Sequence, residues 1–67
     1  MSVSIMLSVK KFKQKDYDEF AQLMSFVDGG CDWWVNEKTG QGWVGNFGID
    51  NLIYVSTQIS RFNDCFY

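Results

Sequence analysis

The stretch that decides the fold is CDWWVNEKTGQGWVGNF, Cys31 to Phe47. At its centre, Glu37-Lys38-Thr39-Gly40 suits a three-residue hairpin loop, a type I turn with Gly40 in the left-handed bulge position. That loop sets Glu37 opposite Gln41, and stepping outward pairs Val35 with Trp43, Trp33 with Gly45 and Cys31 with Phe47. One face of the expected hairpin is then apolar apart from the glycine. The other pairs Asn36 with Gly42, Trp34 with Val44 and Asp32 with Asn46, a polar face with one large apolar pair in its middle. In this register Gly45 leaves room for the ring of Trp33 to lie across the strand.

Upstream, Val3, Ile5, Leu7 and Val9 alternate with Ser2, Ser4, Met6 and Ser8, which predicts a strand with its aliphatic side chains on one face. Between them and the hairpin, Phe20, Leu23, Met24 and Val27 recur at helical spacing, predicting an amphipathic helix over Asp16–Val27. Asp16, Asp18 and Glu19 suit the positive end of its dipole, and Asp28-Gly29-Gly30 supplies a left-handed stop. Downstream, Leu52 to Phe62 fits two periods. As a strand it turns Ile53, Val55, Thr57 and Ile59 inward and Leu52, Tyr54, Ser56 and Gln58 outward; as a helix it aligns Leu52, Val55, Ile59 and Phe62. Enrichment in Ile, Val, Thr and Tyr favours the strand. The expected architecture is α+β: a small antiparallel sheet of three to four strands with one helix packed on a face, in the order β-α-β-β-β, the last element alternatively a helix.

Composition sets the remaining bounds. With 67 residues, 46% apolar, 18% aromatic and 21% charged, the chain reads as one globular domain over residues 1–67. The histidine count is zero, which removes Ser-His-Asp and Cys-His nucleophile pairs, a His base and a His metal ligand. Cys31 and Cys65, 34 positions apart, make no C-x-x-C motif and no zinc site within one chain. A short apolar start interrupted by serines, with no basic residue before it, is not read as a secretory signal, so a cytoplasmic, reducing compartment with free thiols is expected. No apolar run approaches membrane-spanning length.

Several patterns carry less than their letters suggest. Gly40, Gly42 and Gly45 match G-x-G-x-x-G, but a dinucleotide or kinase loop needs surrounding elements that a chain of this length cannot hold. Asp28, Asp32 and Glu37 lack calcium-loop spacing, and the carboxylates of the helix start lack a second ligand set. Cys31, the nearest thing to a nucleophile, faces inward beside Phe47 in the expected register, and small lone domains seldom shape a catalytic pocket. Neither a cofactor, a metal nor enzymatic activity is expected.

Trp33 and Trp34 carry the functional signal, because neighbours on a strand point to opposite faces and only one of them can join the core. The expected register displays Trp34, with Val44 beside it, Leu52 and Tyr54 joining if the last segment is a strand of that sheet, and Met6 extending the patch, unless the apolar tail Cys65-Phe66-Tyr67 folds over that face. Of these types, Trp, Tyr and Met are enriched at interface cores. The expectation is a non-enzymatic protein–protein interaction module acting on another protein, on itself as a homodimer, or on both. A stoichiometric inhibitor, antitoxin or adaptor, of the kind found among viral counter-defence and other phage or mobile-element accessory proteins, fits the chain's size. The alternative reading is single-stranded nucleic-acid binding, with bases stacked on the aromatics and phosphates held by Lys10, Lys11 and Lys13. Those lysines and Lys15 contrast with two positive and eight negative residues from Asp16 onward, a balance that works against nucleic acid.

Overall fold

The alternating Ser and aliphatic segment forms β1 (Ser2–Ser8) in a computed structural model that describes every residue from Met1 to Tyr67. It is followed by α1 (Gln14–Met24), β2 (Asp32–Asn36), β3 (Gln41–Gly48), a 3-10 turn over Ile49–Asn51, and α2 (Leu52–Ser60). The three strands form an antiparallel sheet in the order β1-β3-β2, so the hairpin's second strand is central and both β1 and β2 are edges. The fold is α+β. Both helices and the tail contribute to one core against one face of the sheet.

Strand β1 turns Leu7 inward, with Val3 and Ile5 half-buried on the same side, and Val9 is buried just beyond its end, as period-two alternation requires. At the start of α1 the Lys13 N–H donates to Asp16 Oδ2 at 3.0 Å, half of a capping box with an acidic residue in the first turn. The helix ends at Met24, earlier than the Val27 expected from its spacing. A hydrogen-bonded turn, with the Val27 N–H donating to the Met24 carbonyl at 3.1 Å, still keeps Val27 in the core. Gly29 and Gly30 then take φ of 82° and 83°, the left-handed conformation foreseen for them.

Residues Leu52–Ser60 are helical, so the favoured strand reading of this segment is corrected and its alternative stands. Val55 and Phe62 are buried and Leu52 and Ile59 half-buried, the stripe of the helical reading, whereas Ile53 is 82% exposed. A three-stranded sheet with one apolar face needs more cover than an eleven-residue α1 supplies, and α2 completes that layer. Asn51 pins its start to the α1–β2 turn: its Nδ2 donates to the Asp28 carbonyl at 3.1 Å and its Oδ1 accepts the Asp28 N–H at 3.3 Å.

Phe20, wholly buried on α1, is the hub of the core. Its ring meets Trp33 at 4.9 Å, Phe62 at 5.3 Å, Phe12 at 5.8 Å and Phe66 at 6.0 Å between centroids, all edge-to-face, the arrangement that aromatic quadrupoles favour. The tail therefore docks in the main core. Phe66 bridges Val9, and the Tyr67 N–H donates to the Ser8 carbonyl at 2.9 Å. It does not fold over Trp34. No helix is long and apolar enough to cross a membrane.

Candidate functional site

The hairpin register differs by one residue from the sequence-based expectation. Asn36 faces Gln41, so the loop holds four residues, and the pairs run Val35 with Gly42, Trp34 with Trp43, Trp33 with Val44 and Asp32 with Gly45. Asn36 is the cause. Its Oδ1 accepts the N–H groups of Lys38 at 3.0 Å and Thr39 at 3.2 Å, while its carbonyl accepts the Gly40 N–H at 3.0 Å. Gly40 is left-handed as expected, with φ of 72°. Glu37 leaves the ladder altogether and accepts the Phe12 N–H at 3.0 Å, with Lys13 Nζ 3.3 Å from the same oxygen.

A second irregularity keeps Phe47 inward. Between Gly45 and Phe47 the pairing with β1 shifts by one residue, and Asn46, with φ of 58°, is the extra residue of a β-bulge. Asn46 Nδ2 donates to Asp32 Oδ2 at 2.8 Å across the end of the hairpin. Without the bulge, Val44 and Phe47 would lie on opposite faces; with it, both are buried.

These two features reassign the open face. Val44 is fully buried in the core and Trp43 takes its expected place beside Trp34. The glycine next to a displaced ring is explained differently as well: the indole lying over Gly45 belongs to Trp43, two positions earlier on the same strand, and not to Trp33. Trp33 packs inward against Phe20 and, at 5.0 Å between centroids, against Tyr17. Leu52 and Tyr54 are on the helical layer, on the other side of the sheet. Leu52 packs against the core, and the Tyr54 hydroxyl donates to the Leu23 carbonyl at 2.8 Å. Of the five residues expected on the displayed face, Trp34 and Met6 are there, 47% and 69% exposed, and Val44, Leu52 and Tyr54 are not.

What the face presents is Trp34, Trp43 and Met6, with Met6 opposite Trp43 on β1 and Trp34 opposite it on β2. Around this apolar centre lie Ser4, Ser8, Asp32, Asn36 and Gln41, all exposed. No layer covers it. Sequence reasoning missed Trp43; Asn36, an Asx residue able to cap a four-residue turn, is the signal that would have moved it, and the dipeptide Gly45-Asn46, a glycine followed by a residue tolerant of positive φ, is the signal of the bulge that keeps Phe47 inward.

The lysines expected to hold phosphate are elsewhere. Lys10, Lys11 and Lys13 lie in the β1–α1 connection. Lys10 Nζ sits over the Tyr67 ring at 5.4 Å and reaches the Asn63 carbonyl at 3.5 Å, and Lys13 is paired with Glu37. Both cysteines are free. Burial pushes the Cys31 thiol up, with Asp32 adding to it, and burial does the same for Cys65, reinforced by Asp16. Raised thiols are poor nucleophiles at neutral pH. Cys65 lines an open groove of about 360 Å³ between α1 and the turn after α2, together with Asp16, Glu19, Arg61, Phe62 and Asp64. No group of three His, Cys, Asp or Glu side chains is placed to hold a metal ion.

The fold and its open face define a small α+β domain with one covered and one uncovered sheet surface, the latter centred on two tryptophans. Compared with protein-family models, curated proteins and solved structures, the chain matches none.

Proposed function

We propose that the chain is a non-enzymatic binding module that acts by occupying a surface of another protein with the open face of its sheet. One observation supports this reading above the others: Trp34, beside Trp43 on a face that neither helix nor tail covers, is 47% exposed. Tryptophan and methionine are enriched at interface cores, and truncating a hot-spot tryptophan costs about 2 kcal/mol or more of binding. Asp32, Asn36, Gln41 and the serines form a polar rim suited to excluding water and to selecting a partner by hydrogen bonding. Stoichiometric inhibition, of the antitoxin or counter-defence kind, is a role that such a one-faced domain performs by surface contact alone, in a cytoplasmic setting compatible with its free thiols.

The test compares proteins captured from a host lysate by wild type, Trp34→Ala and a control substituted on the helical side, Ile53→Ala, each checked for an unchanged thermal melt. A binding face predicts one or more partners retained by wild type and the control and lost by Trp34→Ala. Equal capture by all three sinks the reading. Titration with short single strands in low salt checks the nucleic-acid alternative, which requires affinity that falls on changing Lys10, Lys11 and Lys13 to Ala.

A further inference from the structure

The open face is one unsatisfied surface of this sheet; the outer edge of β1 is another, and it rests on different observations. The Val9 N–H donates to the Gly40 carbonyl at 2.9 Å, toward β3, whereas the Ser8 carbonyl points the other way and accepts from Tyr67. Antiparallel alternation then directs the amides and carbonyls of Val3, Ile5 and Leu7 toward β3 and those of Ser2, Ser4 and Met6 outward. The tail occupies this edge at Ser8 and Lys10 and stops there. Outside the strand ladder and the helices, no backbone or side-chain hydrogen bond reaches Ser2, Ser4 or Met6.

Edge strands are ordinarily guarded by a charge, a proline, a bulge or brevity. β2, the other edge, has five residues, carries Asp32 and is followed by Glu37 and Lys38. β1 has none of these guards: it is seven residues long, no side chain from Met1 to Val9 is charged, no proline interrupts it, and the bulge opposite it lies on β3. We infer that a second copy of the chain occupies this edge, the two β1 strands pairing antiparallel about a two-fold axis at Ser4 to give one continuous six-stranded sheet.

The strand is self-complementary about that axis. Ser4 meets the other copy's Ser4 and Ser2 meets its Met6, so every outward amide and carbonyl over Ser2–Met6 has a partner, and the tail at Ser8 is left undisturbed. On the core side Val3 meets Ile5, and each covers the flank of the other. These two are the half-buried aliphatics of β1, whereas Leu7, beyond the free edge, is already buried. No charge opposes a like charge anywhere along the seam. Because the axis stands perpendicular to the sheet, Met6, Trp43 and Trp34 of both copies face the same side, doubling the open surface without covering it.

Sedimentation equilibrium from low to high micromolar concentration tests this with wild type, Ser4→Lys, Ser4→Pro and Trp34→Ala. Ser4→Lys sets two positive charges against each other at the axis, and Ser4→Pro removes an outward donor that β3 does not use. Wild type and Trp34→Ala reach twice the chain mass, and both Ser4 variants remain single chains with an unchanged circular dichroism spectrum. A wild type that stays a single chain throughout overturns the inference and leaves the edge to a strand of another protein. A dimer that survives both Ser4 variants, or that only Trp34→Ala abolishes, overturns it too, placing the seam on the open face. Should the Ser4 variants unfold, hydrogen exchange on wild type decides: the Ser4 and Met6 amides become protected as concentration rises, and protection independent of concentration rejects the pairing.

Discussion

Trp43 lies folded over Gly45 of its own strand, so that a Cβ at position 45 would come within 2.6 Å of the ring's Cε2 and 2.7 Å of Ser4 Oγ. The ring covers bare backbone at the join of β3 and β1, and this is what makes one tryptophan of the open face a half-buried part of the sheet while Trp34 stays exposed. The glycine is required here for space, since its backbone is not left-handed.

Gly45→Ala must therefore displace the Trp43 indole or shift β1. We expect a loss of about 1–3 kcal/mol in urea denaturation, the usual range for overpacking, with a red shift of tryptophan emission as the ring leaves the strand. An unchanged midpoint and spectrum would show that the ring does not rest there.

The register makes the smaller truncation the more damaging one. Val44→Ala empties part of a fully buried site and costs about 2 kcal/mol, whereas Trp34→Ala removes a half-exposed ring and costs about 1 kcal/mol or less. Paired denaturation curves check the order. The reverse order would restore the alternative register, in which Val44 is displayed.

Glu37 ties the hairpin loop to the β1–α1 connection, and the Phe12 N–H followed by Lys13 holds its carboxyl below the ordinary glutamate value of 4.5. A lowered folded-state value means that the tie stabilises the fold at neutral pH and is lost as pH falls from that ordinary value through the lower folded one. Glu37→Gln should flatten the acid limb of a stability–pH profile in this window, leaving stability above it only slightly reduced. A profile identical to wild type would mean that the tie persists no better in the folded state than in the unfolded one.

Both thiols should react slowly with an aromatic disulfide reagent at neutral pH. Burial raises Cys31 and Cys65 above the ordinary 9.0, so the thiolate is scarce, and Cys65 is also sterically enclosed at 3% exposure. Reaction of Cys31 ahead of Cys65, with both accelerated in denaturant, is the expected course; immediate modification of Cys65 in the native protein would contradict its place in the core.

Much of this was legible from residue order. The inward set of β1, the helix around Phe20 and Met24, the left-handed glycines at 29, 30 and 40, and the division of Trp33 from Trp34 all follow from local rules of periodicity and backbone conformation. The partners of Trp34 were not legible. A hairpin's faces depend on loop length, which Asn36 sets by capping the turn, and on the bulge at Asn46, which lets Val44 and Phe47 point the same way although their spacing places them on opposite faces of a regular strand. Leu52–Phe62 satisfied both periods, so its own residues could not choose.

The alternation of β1, the spacing of α1 and the adjacency of Trp33 and Trp34 on one strand by themselves determined an α+β domain whose two neighbouring tryptophans point to opposite faces, because each of those patterns acts within a single element. Tertiary structure decided which residues accompany Trp34. Covering the sheet's apolar face required a second helix from a segment with equal claims to be a strand, and that drew Leu52 and Tyr54 away from the open side, while a one-residue shift and a bulge exchanged Val44 for Trp43. Such choices depend on contacts between segments distant in sequence, and a period read along one segment carries no information about them.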